Sequence, residues 1–260
     1  MRSISSRQVI RRAVLVASFI LFPITIYYFS PALIIMAAAA GVLSGSAMVF
    51  LGQFIAALFF GRAYCGWVCP AGGLQEACFA AQPKQVNRRR VGWIKYAIWI
   101  PWMGLISVLL LRHGIHAAEF WYDMDSPISL SSPAQYPVYI VVNGLMFTLA
   151  LTVGKRGFCH TACWMAPFMI IGEKLQRRLM LPALHLRAAP QRCVGCRQCD
   201  AACPMSLPVH AMVNSGAIAS ADCVLCGNCV DSCTHKAIRY AVGINRKAKA
   251  APDPDATPRQ

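Results

Sequence analysis

Four stretches of the chain are apolar for long enough to cross a bilayer, which takes about 20 residues as a helix: residues 11–30, 45–62, 92–112 and 136–154. The segment 31–44, PALIIMAAAAGVLS, is apolar but short and interrupted by glycine, and predicts an interfacial or re-entrant piece. After residue 163 the pattern changes. WMAPFMIIGEKLQRRLMLPALHLR is apolar in its first half and basic in its second, which predicts an amphipathic helix at the membrane interface over 164–187. A small cysteine-rich module follows over 188–245. The tail 246–260, RKAKAAPDPDATPRQ, is rich in Ala, Pro and charge and reads as disordered.

Composition supports the membrane reading, since 57% hydrophobic and 13% charged residues are too apolar for an ordinary soluble domain. The net charge of +15 does not point to nucleic acid, because the basic residues lie mostly beside apolar runs and in the C-terminal third. Arg2, Arg7, Arg11 and Arg12 precede the first stretch, and Arg62, Lys84, Arg88, Arg89 and Arg90 separate the second from the third. Lys155 and Arg156 follow the fourth, whereas the 113–135 connection carries Glu119, Asp123 and Asp125. The positive-inside rule then puts both termini and the 62–91 loop in the cytoplasm of a bacterial inner membrane, with 31–44 and 113–135 outward. Arg11-Arg12 ahead of AVLVASFILFPITIYYFS resembles a signal peptide, but the further apolar spans make it an uncleaved signal anchor.

Thirteen cysteines are present, and all but Cys78 stand in CxxC or CxxxC spacings, which points to metal or cluster ligation in a reducing compartment. CVGCRQCDAACP (193–204) and CVLCGNCVDSCT (223–234) both fit C-x2-C-x2-C-x3-C, the spacing of bacterial ferredoxins. In that arrangement three thiolates of one run hold a [4Fe-4S] cluster and the fourth cysteine crosses to the other. The expected sets are Cys193, Cys196, Cys199 and Cys233 for one cluster, and Cys223, Cys226, Cys229 and Cys203 for the other. A zinc ribbon would use two CxxC pairs and leave the third and fourth cysteines of each run idle. Thr234 stands where a proline usually follows the fourth cysteine, a change of turn rather than of ligand. With so few residues the module has little core of its own, so its clusters should supply much of its folding free energy.

A subtler repeat lies at the membrane ends. RAYCGWVCPAGG (62–73) and RGFCHTACWMAP (156–167) share arginine, a small residue, an aromatic, cysteine, three residues and cysteine. If helical, Cys65 with Cys69 and Cys159 with Cys163 would each present two thiols on one face. Four converging thiolates suffice for a third cluster or another thiophilic metal, and a thiol-disulfide couple is a second reading. The plainer view is that cysteine is a small buried residue and the arginines are membrane anchors; the matched recurrence favours a redox or metal centre. Cys78 lies outside the repeat and reads as structural.

The histidines predict no haem, because no apolar span holds one in its interior; His113 and His116 lie past the third span, and His160, inside the second CxxxC, could tune or ligate a centre but reads rather as a surface histidine at a helix end. Trp67, Trp93 and Trp121 fit an aromatic belt, and Trp99 and Trp102 pack or face lipid. Arg62, Arg156 and Trp67 are candidate neighbours of a quinone.

Taken with the four spans, these motifs resemble the polyferredoxin membrane proteins of the NapH, NosR, MauN and CcoG type over residues 10–240. Trp164 departs from the family's proline after the second pair, and no long flavin-binding region is recognised, so the NapH-like pattern fits more closely. The resemblance implies an α-helical membrane protein of four transmembrane helices (1–163) with a C-terminal α+β 2[4Fe-4S] ferredoxin domain. It implies electron transfer from quinol toward a partner redox protein or respiratory reductase subunit, as an electron-transfer component rather than an autonomous enzyme. CcoG-like members imply the alternative, copper handling for oxidase assembly.

Overall fold

The computed structural model describes residues 5–245 except 125; the tail 246–260 read as disordered, Arg2 and Asp125 lie outside the described residues. The first helix, Ser6–Ile20, begins where the Ser5 hydroxyl accepts from the Gln8 amide at 3.4 Å, an N-cap that satisfies one orphan donor. It does not run straight to residue 30: after a 59° bend the chain continues as Phe22–Phe29. Pro23 lies at this break, where its ring lacks a donor and would clash with a preceding helical turn. The second apolar helix, Gly45–Phe60, has 16 residues, about 24 Å at the usual rise, against a hydrocarbon core of about 30 Å. Arg88–His113 and Pro133–Thr152 are long and apolar enough to cross a membrane, with the bent pair a third if counted as one span. Leu111 and Val141 on these two helices are 87% and 68% exposed, apolar surface that suits lipid contact.

The 31–44 segment forms a helix, Pro31–Ala39, packed beside Ile94–His113, and then strand β1, Val42–Ser44. Strand β2, Ala117–Glu119, pairs with β1 in parallel, and His116 N donates to Gly41 O at 2.8 Å. The two connections read as lying on one side of the membrane are thus bonded together.

Ala166–Leu179, within the stretch read as interfacial, buries Ala166, Met169 and Ile170 against the protein, and a Cβ on Gly172 would lie 3.0 Å from Phe54 O of the second apolar helix. Strand β3, Ala183–Ala188, pairs antiparallel with β4, Ile238–Gly243. The module's sheet therefore begins at Ala183, ahead of the expected boundary at 188. Its core residues Leu186, Met205, Val209, Val213 and Ile238 are continuous with Ala57, Cys65, Cys159 and Met169 of the membrane half. A module too small for a core of its own shares one with its anchor.

One glycine permits this docking: a Cβ on Gly66 would fall 2.1 Å from Val224 O of the module. Within the membrane half, a Cβ on Gly73 would fall 2.5 Å from Leu15 O of the first helix. Gly66→Ala should force the module off the membrane half, destabilising the chain by roughly 1–3 kcal/mol. A lower thermal midpoint in detergent and faster tryptic cleavage check this.

Candidate functional site

The thiols of the two ferredoxin runs come together in the expected sets. One cavity is lined by Cys193, Cys196, Cys199 and Cys233, and another by Cys203, Cys223, Cys226 and Cys229. In each, the fourth cysteine of one run has crossed to join three of the other. The two runs also share a backbone: Gly195 and Leu225, Arg197 and Gly227, and Ser206 and Lys236 all have positive φ at matching positions. Left-handed residues turn successive N–H groups inward, forming the concavities in which anionic iron–sulfur groups are held. Leu207 N donates to Cys203 Sγ at 3.5 Å and Ala237 N to Cys233 Sγ at 3.4 Å, again at matching positions. The walls around the Cys203 set are apolar, from Leu186, Leu207, Ile218 and Val224, so water is kept off those sulfurs. Among the described residues no three His, Cys, Asp or Glu side chains come close enough to share a single metal ion.

At the membrane ends the CxxxC pairs do not ride on continuous helices. Cys65 lies in the one-turn helix Ala63–Trp67 and Cys69 caps the next helix, Pro70–Ala77; Cys159 lies in Gly157–Thr161 and Cys163 precedes Ala166–Leu179. The break has the same form twice, since the Tyr64 carbonyl accepts from Val68 N and Cys69 N, and the Phe158 carbonyl from Ala162 N and Cys163 N, at 2.9–3.0 Å. Gln75 joins the copies: its Nε2 donates to Cys159 Sγ at 3.3 Å while its Oε1 accepts from Phe158 N at 3.0 Å. Met169 Sδ lies 3.3 Å from Cys65 Sγ.

The four thiols are within electrostatic reach of one another. Burial, and then the fields of Cys159 and Cys65, push the Cys163 thiol up to about 12. Burial raises Cys69 as well, and Cys65, Cys159 and Cys163 add to it. Four ionised sulfurs can coexist here only around a cationic core.

The charges nearby fit such a group. Glu76 binds Arg11 through both carboxylate oxygens, at 2.9 and 2.7 Å, and also Arg156, which donates to Cys65 O at 2.6 Å. Asp222, next to Cys223, binds Arg62 and Arg88 at 2.9 Å and Lys95 at 3.0 Å. Burial alone would raise the Asp222 carboxyl, but Lys95, Arg62 and Arg88 outweigh it and hold it far below the carboxylate range. Five cations on two carboxylates leave three positive charges in excess. Buried charge is tolerated when compensated, and four thiolates around a [4Fe-4S] core carry roughly two negative charges.

Several sequence expectations are corrected by these contacts. Arg62 and Arg156 are not membrane anchors; they are 1% and 0% exposed and bound within the protein. Nor are they free to line a quinone, and Trp67 leaves the aromatic belt to donate to Leu225 O at 3.0 Å. His160 is buried rather than at the surface, and burial lowers it to about 3. Cys78 donates to Leu74 O at 3.3 Å, as a structural thiol does. Gln75, Glu76, Met169 and Asp222 went unread; the signal for the two acids was that only ten Asp and Glu occur in the chain.

The likeness to known proteins follows the same divisions. A family model described as a 4Fe-4S binding domain matches twice, over 42–88 and 135–182, each match spanning one CxxxC pair; a 4Fe-4S dicluster domain matches 192–238. The chain is therefore a membrane-type protein carrying iron–sulfur domains. It is 24% identical to "Ferredoxin-type protein NapH" of Haemophilus influenzae over 78% of this chain and 71% of that protein. It is 29% identical to "Protein NirI" of Paracoccus denitrificans over 66% of this chain and 25% of that protein. Against "Methylamine utilization ferredoxin-type protein MauN" of Methylorubrum extorquens it is 29% identical over 59% and 52%. The chain is thus similar to NapH-like ferredoxin-type proteins over most of its length. No solved structure matches it.

Burial pushes the Glu76 carboxyl up, but Arg156 and Arg11 outweigh it and hold it below its ordinary value. A depressed carboxyl stabilises the fold fully above its unfolded value of about 4.3 and loses that contribution as pH falls through the folded value. Glu76→Gln, leaving two arginines buried without a counter-charge, should cost about 3–5 kcal/mol at neutral pH and remove this component of acid sensitivity. Thermal unfolding in detergent against pH measures both.

Proposed function

We propose that the chain relays electrons between the quinone pool and a partner redox protein, as an electron-transfer subunit of a quinol dehydrogenase rather than an autonomous enzyme. It would lie in the bacterial inner membrane as a four-span protein, the bent first helix and the short second one completing the crossing, with both termini and the ferredoxin domain cytoplasmic. The observation that supports this reading is that two groups of four thiols line cavities of the module, while Cys65 and Cys159 of the membrane-end motifs are buried in one core with Cys203, Cys226 and Cys229.

Cys193, Cys196, Cys199 and Cys233 would hold one [4Fe-4S] cluster, and Cys203, Cys223, Cys226 and Cys229 the second. Their spread around a cavity supports clusters over zinc, whose four sulfurs would converge at about 2.3 Å from one ion. Cys65, Cys69, Cys159 and Cys163 would hold a third centre, supported by the surplus of buried positive charge and by the family model that falls on each pair. Bound there, such clusters supply one-electron transfer. The chain's own part is to exclude water with Leu186, Leu207 and Val224, to balance charge with Arg62 and Arg156, and to fix the loop 222–229 against 62–67. Trp67 and Gln8 do the last by donating to Leu225 O and Cys226 O, each at 3.0 Å.

A second reading has support in Met169. A thioether 3.3 Å from the Cys65 thiol suits Cu(I), as a copper-handling or maturation factor for a respiratory oxidase or reductase would require. In liposomes holding the full chain, a reduced quinol analogue should bleach the cluster absorbance. The Cys65→Ser/Cys159→Ser variant should slow this by at least about tenfold, or 1.4 kcal/mol in barrier. Cluster absorbance indifferent to quinol contradicts the quinone relay. A variant that keeps the quinol response but loses stoichiometric Cu(I) binding favours copper handling.

A further inference from the structure

The four-thiol sets differ in how they meet solvent. The loop that carries Cys226 is pressed against the membrane half, and Cys226 and Cys229 are each 7% exposed. Cys196, by contrast, is exposed at the surface. Between Cys193 and Cys196 stands Val194, 61% exposed, an apolar side chain at the tip of a loop that covers a cavity of four sulfurs.

Around this tip the surface is basic. Arg192 and Arg197 are exposed and line the same cavity rim as His235; Lys236 is exposed beside it. Among the described residues Arg192, Arg197 and Lys236 have no ion pair. The nearby Asp200 is turned inward, its carboxylate accepting from His210 N at 2.7 Å. The membrane half touches the module elsewhere: Gln85 Nε2 donates to Asp200 O, Lys155 Nζ to Ala201 O, Arg177 to Ala219 O and Gln8 to Cys226 O. The 192–197 loop takes no part in these bonds.

An exposed apolar tip ringed by unpaired cations is the form of a transient docking site. The apolar centre brings surfaces into contact, and the ring steers an oppositely charged partner and rejects a cationic one. We propose that the face formed by Val194, Cys196, Arg192, Arg197 and Lys236 is where a soluble one-electron carrier with an acidic surface docks, over the Cys193 set. This rests on the reading of that set as a cluster site and adds the partner's class and the place where it sits. It also orders the three groups, with the Cys193 set at the solvent end and the membrane-end thiols at the other.

The test uses the full chain in phosphatidylcholine nanodiscs, with a flavodoxin as the acidic probe, and measures Kd as salt rises from about 20 to about 300 mM. Binding should weaken by at least about tenfold over that range. Arg192→Glu/Arg197→Glu should weaken low-salt binding by a similar factor. Lys174→Glu/Arg178→Glu, exposed charges on Ala166–Leu179, should leave it unchanged. Wild-type binding that is absent or insensitive to salt, or a Kd unaffected by the Arg192/Arg197 reversal, overturns the proposal. A reversal that abolishes binding of phosphatidylglycerol vesicles while flavodoxin binding persists assigns the face to a lipid surface and overturns it too. Iron content and EPR are read on the same samples. Iron retained without probe binding refutes only the docking face, whereas a wild-type chain purified anaerobically without iron refutes the underlying assignment.

Discussion

Two half-buried carboxylates hold this structure together, and neither pairs with a single cation. Glu76 gathers Arg11 from the first helix and Arg156 from the second membrane-end motif; Asp222 gathers Arg62 from the first motif and Arg88 and Lys95 from the start of the third apolar helix. Segments more than a hundred residues apart are thereby tied at two points, one where Arg156 also reaches Cys65 O and the other next to Cys223. Such groups are costly to bury, and they persist where each charge has a partner. Here the positive charges outnumber the carboxylates, so the arrangement is complete when the thiols act as the remaining anions. Arg156 even takes a left-handed backbone, φ 50°, a conformation that disfavours a residue with a Cβ, at the position from which it reaches Glu76 and Cys65 O.

Duplication is the second organising feature, and it occurs at two scales. The membrane-end motifs repeat a broken helix in which an aromatic carbonyl takes two amides and a cysteine precedes the next helix. The module repeats a loop with left-handed residues at three matching positions. In the module each cavity is lined by sulfurs from both runs, and at the membrane ends Gln75 of the first motif reaches the Cys159 sulfur of the second. The loop 222–229 lies directly on 62–67, so the two repeats meet at Gly66 and Val224, where only a glycine fits.

The ferredoxin sets were legible in the sequence because cluster spacing is a local property: three thiols must reach one cube from one short loop, and the fourth must leave it. The apolar stretches were legible as composition, but their ends were not. Pro23 breaks the first, and the second stops at Gly61, whose φ of 53° ends the helix. The arginines were misread for a different reason. Positive residues beside apolar runs look alike whether they face headgroups or a carboxylate, and Arg62 meets its partner 160 residues away. His160 and Trp67 were misplaced likewise, because burial by the docked module is a tertiary fact with no periodic signature. The repeat raised the question whether the two motifs meet, and it had no sign of Gln75, the residue of the first copy that bonds Cys159 and Phe158 of the second.

The central claim is that Cys65, Cys69, Cys159 and Cys163 hold a cluster in addition to the two of the module. Iron and labile sulfide, counted per full-length chain after anaerobic purification, test it most directly. The account predicts about twelve irons and as many sulfides, falling to about eight in Cys65→Ser/Cys159→Ser. A wild-type count of about eight, unchanged by that substitution, would contradict it.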